Sequence, residues 1–238
     1  VIDIASQSGL ERIAARRRDV EHADVAGFTP EASDVAGPTR IAGLRDPLAV
    51  VAPEGTYFLS DDGRGAIAFG RDGRFALADG VLRGPEGRPV LGFPNGGGAL
   101  APLRADPHDA ALGELREPCI AADGTFTYGR SSIDPRTGER RVERVTAGRV
   151  ALARFPAGTQ LARVEAGGVR PPAGVAPRVG VPGSGDFSAL VVGARDLGRV
   201  DIVTGLQRLD EAYLAYGAMR AAFRGRAEAE KATMELVK

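Results

Sequence analysis

The pattern of apolar and polar positions divides the chain into three stretches. Residues from Ile4 to about Ala23 contain neither proline nor a β-branched run, and their one glycine, Gly9, lies near the start, which predicts a helix. Leu10, Ile13 and Val20 share a stripe at helical spacing, but Arg17 occupies the place of the next apolar residue, so the stripe is narrow. Gly27 and then Thr29-Pro30 are expected to end this helix.

From about Arg45 to Gly193 the apolar stretches shorten and are divided by Asp-Gly and glycine-rich turns, the punctuation of antiparallel hairpins. Asp62-Gly63, Asp72-Gly73, Asp79-Gly80 and Asp123-Gly124 are such turns. Between two of them, Arg74 to Ala78 alternates so that Phe75 and Leu77 fall on one face, as a half-buried strand requires. Val150 and Leu152 repeat the alternation. Asn95-Gly96-Gly97-Gly98 and Pro171-Pro172 predict loops.

In the last stretch, Val200 to Lys238, Ile202, Leu206, Leu209, Tyr213, Tyr216 and Phe223 recur at steps of three, four or seven, with Met219 filling the longest gap. A seam of that period predicts a helix of roughly 37 residues, ~55 Å long, that packs along another helix. Gly205, Gly217 and Gly225 each cost about 1 kcal/mol relative to alanine, so such a helix orders chiefly through its partners. The expected fold class is mainly β with long terminal α-helices, the two helices pairing as a coiled coil and an antiparallel β-domain between them. The expected division is 1–28 and 200–238 for the helical domain, 29–44 for a linker and 45–199 for the β-rich domain.

Composition adds limits. Thirty-three glycines and sixteen prolines fit a turn-rich chain rather than a helical bundle. Lys plus Arg and Asp plus Glu both total 31, so there is no overall field to draw the chain to nucleic acid or anionic lipid, and partners are found by shape. Cys119 is alone and forms no internal disulfide. No apolar run approaches the ~20 residues of a membrane span, and residues 1–20 do not have the pattern of a secretory signal, which on the residues alone points to the cytoplasm.

Candidate chemistry is sparse. His22 and His108 have no ligand spacing around them and read as surface histidines. Cys119 follows Pro118 without a neighbouring histidine to activate it. The run Gly180 to Gly185 is not followed by Lys-Ser or Lys-Thr and reads as a loop, not a phosphate cradle. Asp61, Asp62 and Asp72 suit hairpin turns better than calcium. Arg16-Arg17-Arg18 and Arg220, Arg224 and Arg226 read as solvated helix faces, or as groups that meet acidic neighbours on adjacent copies in a salt-sensitive way. No catalytic, cofactor-binding or metal-ligating residue is assigned, and the expectation is a protein that is not an enzyme.

A set of motifs in a fixed order adds a family. Pro47-Leu48-Ala49-Val50, Gly55-Thr56-Tyr57-Phe58, Ala68 to Phe75 with Arg71-Asp72-Gly73, Asp79-Gly80-Val81-Leu82 and Gly87 to Gly92 resemble the β-domain signature of the bacterial flagellar rod and hook axial proteins. Downstream, Leu152 to Phe155 resembles that family's L-A-R-F strand, and Val200-Asp201-Ile202-Val203 resembles the opening of its C-terminal helix. Ser8-Gly9-Leu10 and Ala23 to Phe28 are similar to its N-terminal segment, whereas Arg18 to Ala23 departs from its A-N-N-L-A-N stretch. The resemblance implies a structural subunit of the basal-body rod, proximal or distal, that self-assembles helically and helps transmit torque to the hook. It implies export by the flagellar type III system without a cleaved signal, into the periplasm-spanning rod. Implied partners are copies of itself, other rod and hook proteins, the surrounding rings and the export apparatus, with no nucleic acid, membrane insertion or cofactor. The expected assembly interface is Leu10, Ile13, Val20, Ile202, Leu206, Leu209, Tyr213, Tyr216, Met219 and Phe223. The motif residues are Gly55, Tyr57, Phe58, Arg71, Asp72, Gly73, Phe75 and Asp201. The alternative is a non-enzymatic β-domain that binds a ligand, its terminal helices serving only to oligomerise, although no tryptophan and four tyrosines give little material for an aromatic site.

Overall fold

A computed structural model describes residues 4–26, 28, 39–95, 98–111, 115–133, 136, 138–164 and 168–236. The helices are α1 (Ile4–Glu21), α2 (Pro107–Ala111) and α3 (Ile202–Leu236). The strands run β1 (Ile41–Gly43), β2 (Val50–Val51), β3 (Thr56–Asp61), β4 (Ile67–Gly70), β5 (Ala76–Ala78), β6 (Val81–Arg83), β7 (Leu91–Pro94), β8 (Ala101–Pro102), β9 (Leu115–Ile120), β10 (Thr125–Ile133), β11 (Arg140–Val150), β12 (Leu152–Arg154), β13 (Ala162–Arg163), β14 (Gly168–Arg170), β15 (Arg178–Gly180), β16 (Val191–Val192) and β17 (Ala194–Asp196). The chain is therefore mainly β, with one long C-terminal helix and a shorter N-terminal one. The Gly27 and Thr29-Pro30 stop, residues 29–38 of the expected linker and Gly96-Gly97 lie outside the described residues.

Contacts divide the chain into a helical unit, residues 1–24, 28–40 and 198–238, and a β unit, residues 25–27 and 41–197. The β unit begins at Ile41, inside the stretch expected to be linker, because Ile41, Ala42 and Gly43 pair with Asp196, Arg195 and Ala194.

In the helical unit, Asp201 starts α3 by accepting the backbone N–H groups of Val203 (2.9 Å) and Thr204 (3.3 Å) on its Oδ1, which satisfies donors that have no partner within the helix. Gly9 of α1 faces Tyr216 and Met219, and Val20 faces Gly205, so the two helices run antiparallel. With 18 residues against 35, α1 is about 27 Å long and α3 about 52 Å, so α3 outruns it.

All strand pairs in the β unit are antiparallel. A six-stranded sheet has the order β13-β14-β4-β3-β12-β15, a five-stranded one β8-β7-β11-β10-β9, and β1-β17, β16-β2 and β5-β6 form two-stranded ribbons. Strands β3 and β12 lie between two cores. Phe58, Val150 and Leu152 enter one, with Phe75, Leu82, Leu103 and Phe126, whereas Leu59, Ala151 and Ala153 enter the other, with Phe69, Leu91 and Phe155. Val150 and Leu152 do alternate as expected. Ala151 between them is buried as well, so this stretch is covered on both sides.

The Asp-Gly turns divide by role. Asp79-Gly80 joins β5 to β6 with both residues at positive φ (52° and 71°), the conformation that a tight hairpin needs. Gly63 (φ 77°) and Gly124 (φ 80°) serve the β3–β4 and β9–β10 connections. Asp72-Gly73 makes no hairpin, since β4 and β5 lie in different sheets. Instead, Gly73 lets the backbone of Val50 come close. Phe75 and Leu77 face one core, as the alternation requires.

Candidate functional site

No site of converging reactive groups emerges from the described residues. Among them, no cluster of three His, Cys, Asp or Glu side chains could hold a metal ion, and no helix is long and apolar enough to cross a membrane. A cavity lined by Phe58, Phe69 and Phe75 measures about 60 Å³, well short of a small-molecule pocket, and the cleft of about 370 Å³ beside Phe93 and Phe187 is open to solvent. At the polar edge of the smaller cavity, Asp72 is occupied by Arg74, at 2.6 Å. Asp61 accepts the Gly63 N–H, and Asp62 those of Arg64 and Ala66, so both carboxylates shape the turn. Those two bonds hold the Asp62 carboxyl below the usual range.

His22 follows α1, where its Nδ1–H donates to the Arg18 carbonyl oxygen at 2.8 Å and its ring stacks on Phe28 at 5.3 Å. His108 sits on α2, whose start is capped by Asp106 with Pro107 as its first residue, a helix signature that the sequence reading passed over. Cys119 lies 3.2 Å from the Thr127 hydroxyl and 3.4 Å from Arg144. Arg144 pairs with Gly129 of β10, where an added Cβ would stand 2.7 Å from a Val142 methyl.

What the structure does assemble is a helix pair and a set of structural fastenings. Of the expected interface, Ile13 is buried, and Val20, Ile202, Leu209, Tyr216 and Met219 are half-buried. The covered face of α3 reads Ile202, Gly205, Leu209, Ala212, Tyr216, Met219, at steps of three and four. Leu10, Leu206, Tyr213 and Phe223 are exposed, by 49%, 47%, 50% and 37%. Val203 and Leu214, which the sequence reading did not select, are more exposed still, at 65% and 75%. Every residue of 220–235 is exposed. Gly205, counted as a cost from sequence, is instead a close-approach point: a Cβ there would stand 3.2 Å from the Val20 methyl. Arg17 pairs with Glu21 at 2.7 Å and Arg226 with Glu230 at 3.0 Å, while Arg220 lies over the Tyr216 ring.

The motif residues are fastenings of the β unit. Phe58 and Phe75 are buried edge to face at 5.0 Å, and Tyr57 meets Phe155 at 5.7 Å. Gly55 turns at φ 72°. The buried guanidinium of Arg71 is engaged at all three of its nitrogens. Nη1 bonds the carbonyls of Pro53 (3.0 Å) and Thr56 (2.9 Å), Nη2 that of Ala52 (3.0 Å), and Nε and Nη2 both reach Asp196 Oδ2 at 3.0 Å. A second buried group joins α2 to β10: the Tyr128 hydroxyl donates to Asp109 Oδ2 (2.9 Å) and accepts the Asp106 N–H (3.0 Å).

No family model matches the chain. No curated protein matches it either.

Proposed function

We propose that the chain is a non-enzymatic structural subunit of an axial assembly of the flagellar rod type, joined to its neighbours through its helices. The observation that carries this reading is the surplus of α3. About half of the helix extends past α1, and its nearer half presents Val203, Leu206, Tyr213 and Leu214 to solvent beside the covered seam. An isolated helix end of this kind is marginal in water, and an apolar flank on it is satisfied by helices of other copies packed as a coiled coil. The ordered motifs from Pro47 to Gly92 give the reading its family, and the roles of Arg71, Gly73 and Phe75 in holding the β unit together give those motifs a structural purpose. On this reading, export through the flagellar apparatus, contacts with other rod and hook proteins and the surrounding rings, and a place in the basal body follow.

Sedimentation velocity and electron microscopy of the purified chain over a range of concentrations test the proposal. Elongated, concentration-dependent oligomers are expected, and Leu206→Asp/Leu214→Asp is expected to leave only monomer. A monomer at every concentration, alone and mixed with rod proteins, would sink it.

A further inference from the structure

The β unit begins with β1 and ends with β17, and among the described residues these two strands pair as a ladder only with each other. Three residues a side make a ribbon that is marginal alone. Its outer strand is poorly covered, with Ile41 49% exposed. One end is fastened by backbone bonds, since the N–H groups of Gly193 and Ala194 donate to the Ala49 carbonyl at 2.8 and 3.4 Å. At the other end Asp196, whose side chain is fully buried, meets Arg71. Arg71 is in turn fixed by three carbonyls of the turn between β2 and β3.

We propose that the Arg71–Asp196 pair is a latch that closes this ribbon onto the β unit, so that the ribbon opens as a separate unit when the pair is broken while both larger sheets stay folded. The case rests on the difference in what holds each part. Strands β3 and β12 are covered by apolar side chains on both faces, so their opening requires global unfolding. The Asp196 end of the ribbon is tied to the turn between β2 and β3 through a charge-assisted contact with a cation that three carbonyls hold in place. Open, the latch frees three residues on each side, about 10 Å of extended chain at ~3.3 Å per residue, from the rest of the β unit. The device holds whether or not the chain assembles.

Hydrogen exchange of the full chain, read by mass spectrometry, tests it. In Asp196→Ala, peptides covering 39–44 and 193–197 should exchange roughly tenfold faster or more, the scale of a lost hydrogen bond to a charged group, while those covering 56–61 and 150–155 keep their rates. Uniform acceleration across the chain, or none in the ribbon, overturns the latch. Because Asp196→Ala leaves a buried guanidinium without its counter-ion and can unfold the protein, the double variant Arg71→Met/Asp196→Leu provides the second reading. It removes both charges, so fast exchange confined to the ribbon supports the latch, and a ribbon as protected as in the parent chain shows that packing alone holds it and overturns the proposal.

Discussion

The Val50 N–H donates to the Gly73 carbonyl at 3.0 Å, while the Val50 carbonyl oxygen lies against the Gly73 Cα in the space that a side chain would occupy. Val50 is wholly buried and the Phe58 ring closes the same space from the side, so neither neighbour can withdraw. Gly73→Ala is therefore expected to cost about 2–4 kcal/mol of stability. The measurement is the shift of the urea midpoint, and Gly70→Ala, where an added Cβ meets nothing within 4 Å, is the control expected to cost far less.

Gly9 holds the helix pair to its spacing. A Cβ there would come within 2.9 Å of the Tyr216 ring and 3.0 Å of the Met219 methyl. Gly9→Leu and Tyr216→Asp are both expected to separate the helices, lowering the helical circular dichroism and leaving the β unit intact. At concentrations low enough that the parent chain is also monomeric, Leu214→Asp, on the exposed side, should change stability by less than about 0.5 kcal/mol. Loss of helix in Leu214→Asp, or none in Gly9→Leu, would contradict the observed seam.

Burial raises the Tyr128 hydroxyl pKa above its ordinary value, and the Asp109 carboxylate adds to the shift. The folded state thus holds the proton more tightly than the unfolded one. The stabilisation is intact below the unfolded pKa of about 10 and is lost as pH rises through the folded value. Thermal melts from pH 8 to 11 should show a falling midpoint that Tyr128→Phe flattens. The variant should also lose about 1–3 kcal/mol at neutral pH, since Asp109 is left buried without its donor.

Asp123 shifts the other way, because Arg149 donates to it at 2.9 Å and the Thr125 N–H and hydroxyl add further bonds. Its folded pKa lies below the unfolded value of about 3.9, so its contribution is present above that pH and is lost as pH falls through the folded value. Both side chains are almost half exposed, so the effect should shrink with added salt. Acid titrations of stability at low and high ionic strength, with Asp123→Asn as reference, check it; an acid profile identical to that of the variant would exclude the role.

The parts that were legible in the sequence are those set by local chemistry. The period of the last 39 residues gave α3 its existence and length, and Asp79-Gly80 a hairpin. Distances between remote positions were not legible. Nothing near Arg71 points to Asp196, 125 residues away, and an apolar seam does not reveal which of its flanks a partner will cover, which is why Leu206 and Tyr213 stand outside a contact that Gly205 and Ala212 help to make. Glycine misled in both directions, read as a cost at Gly205 and as a hairpin at Gly73, since composition cannot distinguish flexibility from close approach.

The passage of the chain from β11 directly into β12, through Val150, Ala151 and Leu152, gives one short peptide membership of two sheets and two cores. A fragment that ends there would strip a central strand from one sheet and an anchor from the other. The β unit therefore cannot be divided into smaller modules for separate expression, and shuffling of its halves between relatives should yield insoluble chimaeras unless the crossover is placed elsewhere.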